Sequence, residues 1–285
     1  MPFGCVYSLY ANKSSAIRIS AIRLGTVLPA PFGYLIGSMT CRLGELVGVL
    51  RTALEVSEKN RNGPWLGIFQ ANLAWVRLQC GDLAGARGLA EALIHEHTGE
   101  PAGQIRTMAA ITQAYVDLES GLVDTALERF AALVGAKGRS RFFLDWYWSM
   151  MAQLGVSRAW LAKGEAAQAS EAAAIFIEAA QSSADPRLHA LAWELNAQLA
   201  MQTGDSNRAC DFAQQALGAL DSLKLPMVSW RIEMTASECY RAAGEEKVAR
   251  THGARAAELV NGLIASFPPD EPLRAKFAAS AGGRR

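Results

Sequence analysis

Six short segments, "LGELVGVL", "CGDLAGAR", "SGLVDTAL", "KGEAAQAS", "TGDSNRAC" and "AGEEKVAR", place glycines at Gly44, Gly81, Gly121, Gly164, Gly204 and Gly244, at intervals of 37, 40, 43, 40 and 40 residues. Five residues after each of the last five glycines stands an alanine: Ala86, Ala126, Ala169, Ala209 and Ala249, with Val49 in the first unit. Seven residues before the six glycines the residue is always small: Gly37, Ala74, Ala114, Ser157, Ala197 and Ser237. Three columns in register over the same period mean a repeated supersecondary unit, and a chain built of such units folds as an array rather than a globule. A glycine that ends one helix in the left-handed conformation, flanked by small residues on both helices, is what a tight helical hairpin needs for its backbones to approach.

Prolines punctuate the same period. Pro64, Pro101, Pro186 and Pro226 fall 17 to 20 residues before the next turn glycine, where proline suits a first helical turn because that N–H has no intrahelical partner. Asp185 is placed to cap the helix that Pro186 opens. Each unit reads as helix A of about 15 to 18 residues, a glycine turn, and helix B of about 12 to 16. The fold class is therefore all-α, a right-handed superhelical solenoid of about six helix-turn-helix repeats of about 40 residues. The array occupies residues 31–265. Residues 1–30 lack the register, and residues 266–285 read as a capping helix with a frayed tail.

The small residue in helix A, the turn glycine and the small residue in helix B resemble the tetratricopeptide repeat in order and spacing. That resemblance implies a non-catalytic scaffold binding a peptide, helix or partner subunit in the concave groove. The long period and the closing "FPPDEPLRAKFAAS" are also similar to the C-terminal arms of signal-transduction ATPases and of transcription activators of the maltose-regulator type. That second likeness implies a ligand-sensing or regulatory arm. A HEAT-type or armadillo-type array remains a competing architecture, since its period is about 40 to 47 residues.

The stretch "FFLDWYWSMM", residues 142–151, concentrates the aromatic side chains. With Ser157 set as the direction of helix-helix contact and about 100° per residue, Trp146, Met150, Phe143, Phe142, Gln153 and Trp160 point into the core. Tyr147, Met151, Leu144 and Arg158 point toward the groove, and Trp148 points away from Ser157 onto its rim. In the same register the other units contribute Trp75, Met108, Ile111, Tyr115, Glu194, Gln198, Glu238 and Arg241. The predicted partner-binding groove has an apolar, aromatic first half and a second half of mixed charge, the former for anchoring and the latter for orientation.

Composition limits the functional classes. With 28 Lys and Arg against 27 Asp and Glu, the net charge of +1 gives no field to collect phosphate backbones, and no direct nucleic-acid partner is expected. The uncharged residues 24–41 imitate a signal anchor after Lys13, Arg18 and Arg23. Their prolines and glycines argue against a span, so a cytoplasmic protein without a membrane partner is expected. The five cysteines are scattered, without a paired motif, and read as reduced and buried.

No GxxxxGK[ST], GxSxG or HExxH motif occurs, so neither a phosphate loop nor a known nucleophile or zinc arrangement is present in sequence. His95 and His97 lie about 200° apart on a helix and cannot chelate one ion. No catalytic residue, metal or cofactor is expected. An all-α enzyme with a site assembled from distant residues is the third functional class, and a homodimer and a monomer both remain open.

Overall fold

The computed structural model describes residues 43–97, 103–135, 145–221, 223 and 225–283. The readings made on residues 1–42, Pro101, Phe142, Phe143 and Leu144 lie outside these. The described residues form twelve helices and no strand. They are α1 (Leu43–Lys59), α2 (Gly63–Gln79), α3 (Leu83–Glu96), α4 (Gly103–Glu119), α5 (Val123–Val134) and α6 (Asp145–Lys163), followed by α7 (Ala166–Gln181), α8 (Pro186–Gln202), α9 (Ser206–Gly218), α10 (Pro226–Ala242), α11 (Glu246–Ala265) and α12 (Pro272–Gly283).

Five of the six glycines make the turns that the register calls for. Gly81, Gly121, Gly164, Gly204 and Gly244 have φ of 76°, 78°, 84°, 81° and 82°, a region that costs an L-residue about 1–2 kcal/mol. The residue after each one donates its N–H to a carbonyl five positions back: Asp82 to Arg77, Leu122 to Asp117, Glu165 to Trp160, Asp205 to Ala200 and Glu245 to Tyr240. That is the Schellman closure, which satisfies a carbonyl left over at the end of helix A. Asp82 and Asp205 then start the next helix, accepting from the N–H groups of Gly85 and Arg208, and Asp185 caps α8 through Arg187 N–H. The two small-residue columns are buried throughout, from Ala74 to Ser237 on the A helices and from Ala86 to Ala249 on the B helices.

The hairpins α2–α3, α4–α5, α6–α7, α8–α9 and α10–α11 stack in sequence, and each A helix also packs on the next, α2 on α4, α4 on α6, α6 on α8 and α8 on α10. This places the A helices on the inner wall of the array. Gly44 departs from the expected role. It is the second residue of α1, is buried, and is not among the left-handed glycines. A Cβ there would lie 2.3 Å from the backbone oxygen of Ser266, at the end of α11. Its small size serves a long-range contact, so the same residue type in the same register carries a different constraint.

That contact belongs to a seam that joins the two ends of the array. The Gly44 N–H, an orphan donor of the first turn of α1, bonds to Ser266 Oγ at 3.0 Å. Arg51 on α1 meets Glu271 at 2.9 Å, and Arg231 on α10 donates to Gln79 on α2 at 2.8 Å. An apolar cluster fills the seam, with Leu43, Val47 and Leu50 from α1, Phe69 and Cys80 from the first glycine hairpin, and Trp230, Phe267, Leu273 and Phe277 from the other end. The array is thus one superhelical turn closed on itself. Gln79 lies two residues before its turn glycine and Arg231 thirteen before its own, so the ends meet out of register along the A helices.

Gly81 sits in this seam and gives a test of it. A Cβ at Gly81 would lie 2.4 Å from Ser280 Cβ on α12, whereas one at Gly204, with nearly the same φ, meets nothing within 4 Å. Gly204→Ala is expected to lose about 1 kcal/mol for the left-handed backbone alone. Gly81→Ala is expected to lose a further 1–2 kcal/mol, about the cost of overpacking, in parallel urea titrations. Equal losses would mean that Ser280 does not rest on this turn in solution.

Candidate functional site

The inner wall is divided along its length by what fills it. At one end Trp75 (α2), Tyr115 (α4) and Trp148 (α6) form a chain of edge-to-face contacts. Trp75 lies 5.3 Å from Tyr115 and 5.4 Å from Trp148, and Tyr115 lies 5.0 Å from Phe130 on α5. Such pairs contribute about 0.5–1.5 kcal/mol each beyond area burial. The Tyr115 hydroxyl donates to the Met151 carbonyl at 2.7 Å, and burial pushes its pKa above the usual phenol range against the pull of the nearby Arg158 charge. Burial likewise raises the Tyr147 hydroxyl, opposed by Arg187, whose guanidinium lies 5.4 Å from the Tyr147 ring centre.

This cluster corrects the expectation of an open apolar groove. Met108, Ile111, Tyr115, Trp148 and Met151 are all buried, and Trp75 and Tyr147 are half-buried against them. Trp148, read as a rim residue, is 2 % exposed, whereas Trp146, read as core, is 46 % exposed. Two physical causes account for the exchange. The ring is narrow enough that the face of α6 opposite Ser157 packs on α2 and α4 instead of facing open space. Trp146, although on the Ser157 side, lies in the first turn of a 19-residue helix whose hairpin partner has only 16 residues. Met150 and Trp160 are half-buried, and Gln153 is in the core, donating to the Ala172 carbonyl at 3.0 Å.

The polar part of the inner wall runs through α6, α8 and α10. Arg158 pairs with the buried Glu194 at 3.0 Å, and Thr235 donates its hydroxyl to the other Glu194 oxygen at 3.3 Å. Burial opposes the charge on Arg158, but the fields of Glu194, then Tyr115 and Glu119, outweigh it and hold the guanidinium pKa above its ordinary value. Gln198 is half-buried on the same wall, while Glu238 and Arg241 reach solvent. Desolvation, then the Glu194 charge, raises the Glu238 carboxyl although Arg241 pulls it down. Arg241 also reaches Ser237 Oγ at 3.3 Å.

The structure therefore joins Arg158 and Glu194 directly, brings Glu238 and Arg241 into their field, and withdraws the aromatic residues into packing. Thr235, Gln79 and Arg231 were missed by sequence reading. Gln79 and Arg231 become inner-wall neighbours only because the ring closes, and nothing in the local pattern announces that. Among the described residues no group of three or more His, Cys, Asp or Glu side chains is arranged to hold a metal ion, and no helix is long and apolar enough to cross a membrane.

No protein-family model and no curated protein sequence matches the chain. Several solved structures resemble its fold. BtubC (BKLC) from P. vanneervenii superposes with a TM-score of 0.51 at 16 % identity, over 80 % of this chain and 94 % of that one. A thermophilic tetratricopeptide repeat protein of Thermus thermophilus, TTC0263, gives 0.49 at 20 % identity, over 75 % and 98 %. A tetratricopeptide repeat protein of Parabacteroides merdae gives 0.44 at 15 % identity, over 85 % and 83 %. With its paired helices and Schellman-closed glycine turns, the chain is by fold an all-α array of tetratricopeptide-like helix-turn-helix repeats.

Proposed function

We propose that the chain is a non-catalytic protein-binding scaffold whose partner lies on the polar part of the inner wall, against Gln198, Glu238 and Arg241, with Arg158 and Glu194 beneath. Repeats of this kind generally mediate protein–protein interaction. The observation that carries this assignment is that Glu238 and Arg241, opposite charges three residues apart on α10, both stay exposed beside a wall whose Arg158–Glu194 pair is already satisfied. A partner segment presenting an acid to Arg241 and a base to Glu238 satisfies both, and such charges set orientation and on-rate. Trp75 and Tyr115 pack against each other at the other end of the same wall.

The test exchanges the charges. In a pull-down beside the unaltered chain, Glu238→Arg combined with Arg241→Glu should lose at least ten-fold of a specifically retained protein, with helical circular dichroism unchanged. Retention of the same proteins at the same level would overturn the assignment. A second reading, a sensing arm of a maltose-regulator-type ATPase or transcription regulator, draws on the closed inner wall, where Arg158, Arg231, Glu119 and Tyr115 lie within electrostatic reach of one another. A small polar metabolite that raises the melting temperature, with the exchanged-charge variant still retaining the proteins, would favour it.

A further inference from the structure

We infer that α12 is a releasable clasp, and that the ring opens at the seam where α10, the end of α11 and α12 meet α1 and the first glycine hairpin, while the hairpins themselves stay folded. The topology distinguishes this seam from every other interface. Hairpin stacking joins sequence neighbours, whereas the seam joins groups 152, 220 and 222 residues apart. In a linear array each unit is held by its immediate neighbours, so loss of an end-to-end contact leaves those interfaces intact.

The seam's polar contacts are of the kind that water can replace. Lys276 reaches Asp82 at 3.7 Å and is 57 % exposed, and Arg51, the partner of Glu271, is 55 % exposed. Exposed pairs contribute little and are screened by salt. Glu271 also accepts the Leu273 N–H at the start of α12, and Asp82 accepts the Gly85 N–H at the start of α3, so both carboxylates keep local partners after release. The Gly44 N–H and Arg231 pass to solvent on an inner or outer wall. At the centre, Phe277 packs edge-on to Trp230 at 6.2 Å, and the Trp230 indole N–H is buried without an acceptor among the described residues. Opening hydrates that donor and removes the cost of leaving it dry. Phe277 and its apolar surroundings are then the main hold on the closed state.

The seam carries its own reporter. Cys80 is fully buried in the seam's apolar cluster, and its thiol is pushed up to about 12, first by burial and then by the charges of Glu271 and Asp82. Cys239 is equally buried and also pushed up to about 12, but it sits among Ala197, Ala209 and Ala236 in the α8–α10 core, away from the seam. The two thiols therefore separate seam opening from unfolding.

The experiment is site-resolved alkylation of the native full chain with iodoacetamide, read by mass spectrometry of the Cys80 and Cys239 peptides. Phe277→Ala, and separately Leu273→Ala, should accelerate Cys80 labelling by ten-fold or more and leave Cys239 within two-fold, with circular dichroism unchanged. High salt should accelerate Cys80 in the unaltered chain in the same sense. Equal acceleration of both cysteines would mean that the ring opens only by unfolding, and unchanged Cys80 labelling in both variants would mean that α12 does not guard it. Either result overturns the clasp.

Discussion

Phe130→Ala should lower the unfolding free energy by about 3–5 kcal/mol, the range for deleting a fully buried aromatic ring, read as a lower urea midpoint at unchanged slope. Phe130 is wholly inaccessible, stands edge-on to Tyr115, and fills the space that Gly155 leaves on α6. A Cβ at Gly155 would sit 2.3 Å from the Phe130 ring. The glycine and the phenylalanine are thus a complementary pair across the α5–α6 interface, and their substitutions should not add. Gly155→Ala alone should destabilise by about 1–3 kcal/mol through overpacking. In the Phe130→Ala background the added methyl enters vacated space, and its cost should fall to near zero or reverse. Additive losses would mean that the two residues do not meet.

Arg158→Leu should destabilise by about 2–3 kcal/mol. Removing one partner of a buried ion pair costs about 3–5 kcal/mol because the other charge is stranded, and the lower figure applies because Arg158 retains 23 % exposure and admits water. Glu194 would keep only the Thr235 hydroxyl. Glu194→Leu added to Arg158→Leu should recover most of the loss, because an apolar pair of similar volume has no stranded charge. A cycle in which the double variant is worse than Arg158→Leu alone would show that Glu194 holds this wall through other contacts.

The hairpins were legible in the sequence because their constraints are local. A left-handed glycine, a Schellman closure and two small residues at fixed offsets all act within about twenty residues, and five units repeat them. The helix starts at Pro186 and Pro226 were legible for the same reason. Gly44 was misassigned because smallness has the same signature whether it serves a turn or a long-range backbone contact. The aromatic residues were misassigned for a larger reason. A helical wheel drawn for one unit assumes that the groove face looks onto open space, but Trp148 and Tyr115 both meet Trp75, and Tyr115 also meets Met151, residues that other units bring to them. Arg158 and Glu194 were each placed on the inner face from their own helices, but their pairing was not read from the sequence. The enclosure of the pair follows from the curvature of the array and could not be read from either helix.

Closure by the seam also bears on how such an array can change its size. Open solenoids gain or lose units by duplication and deletion, since a new hairpin needs only one compatible neighbour. Here, among the described residues, the surfaces at both ends already meet each other, and an inserted hairpin would carry Arg231 out of reach of Gln79 and Phe277 out of its seat. The number of units is therefore fixed by geometry, and variation is confined to loop lengths and side chains, a constraint that a propeller obeys and a linear repeat protein escapes.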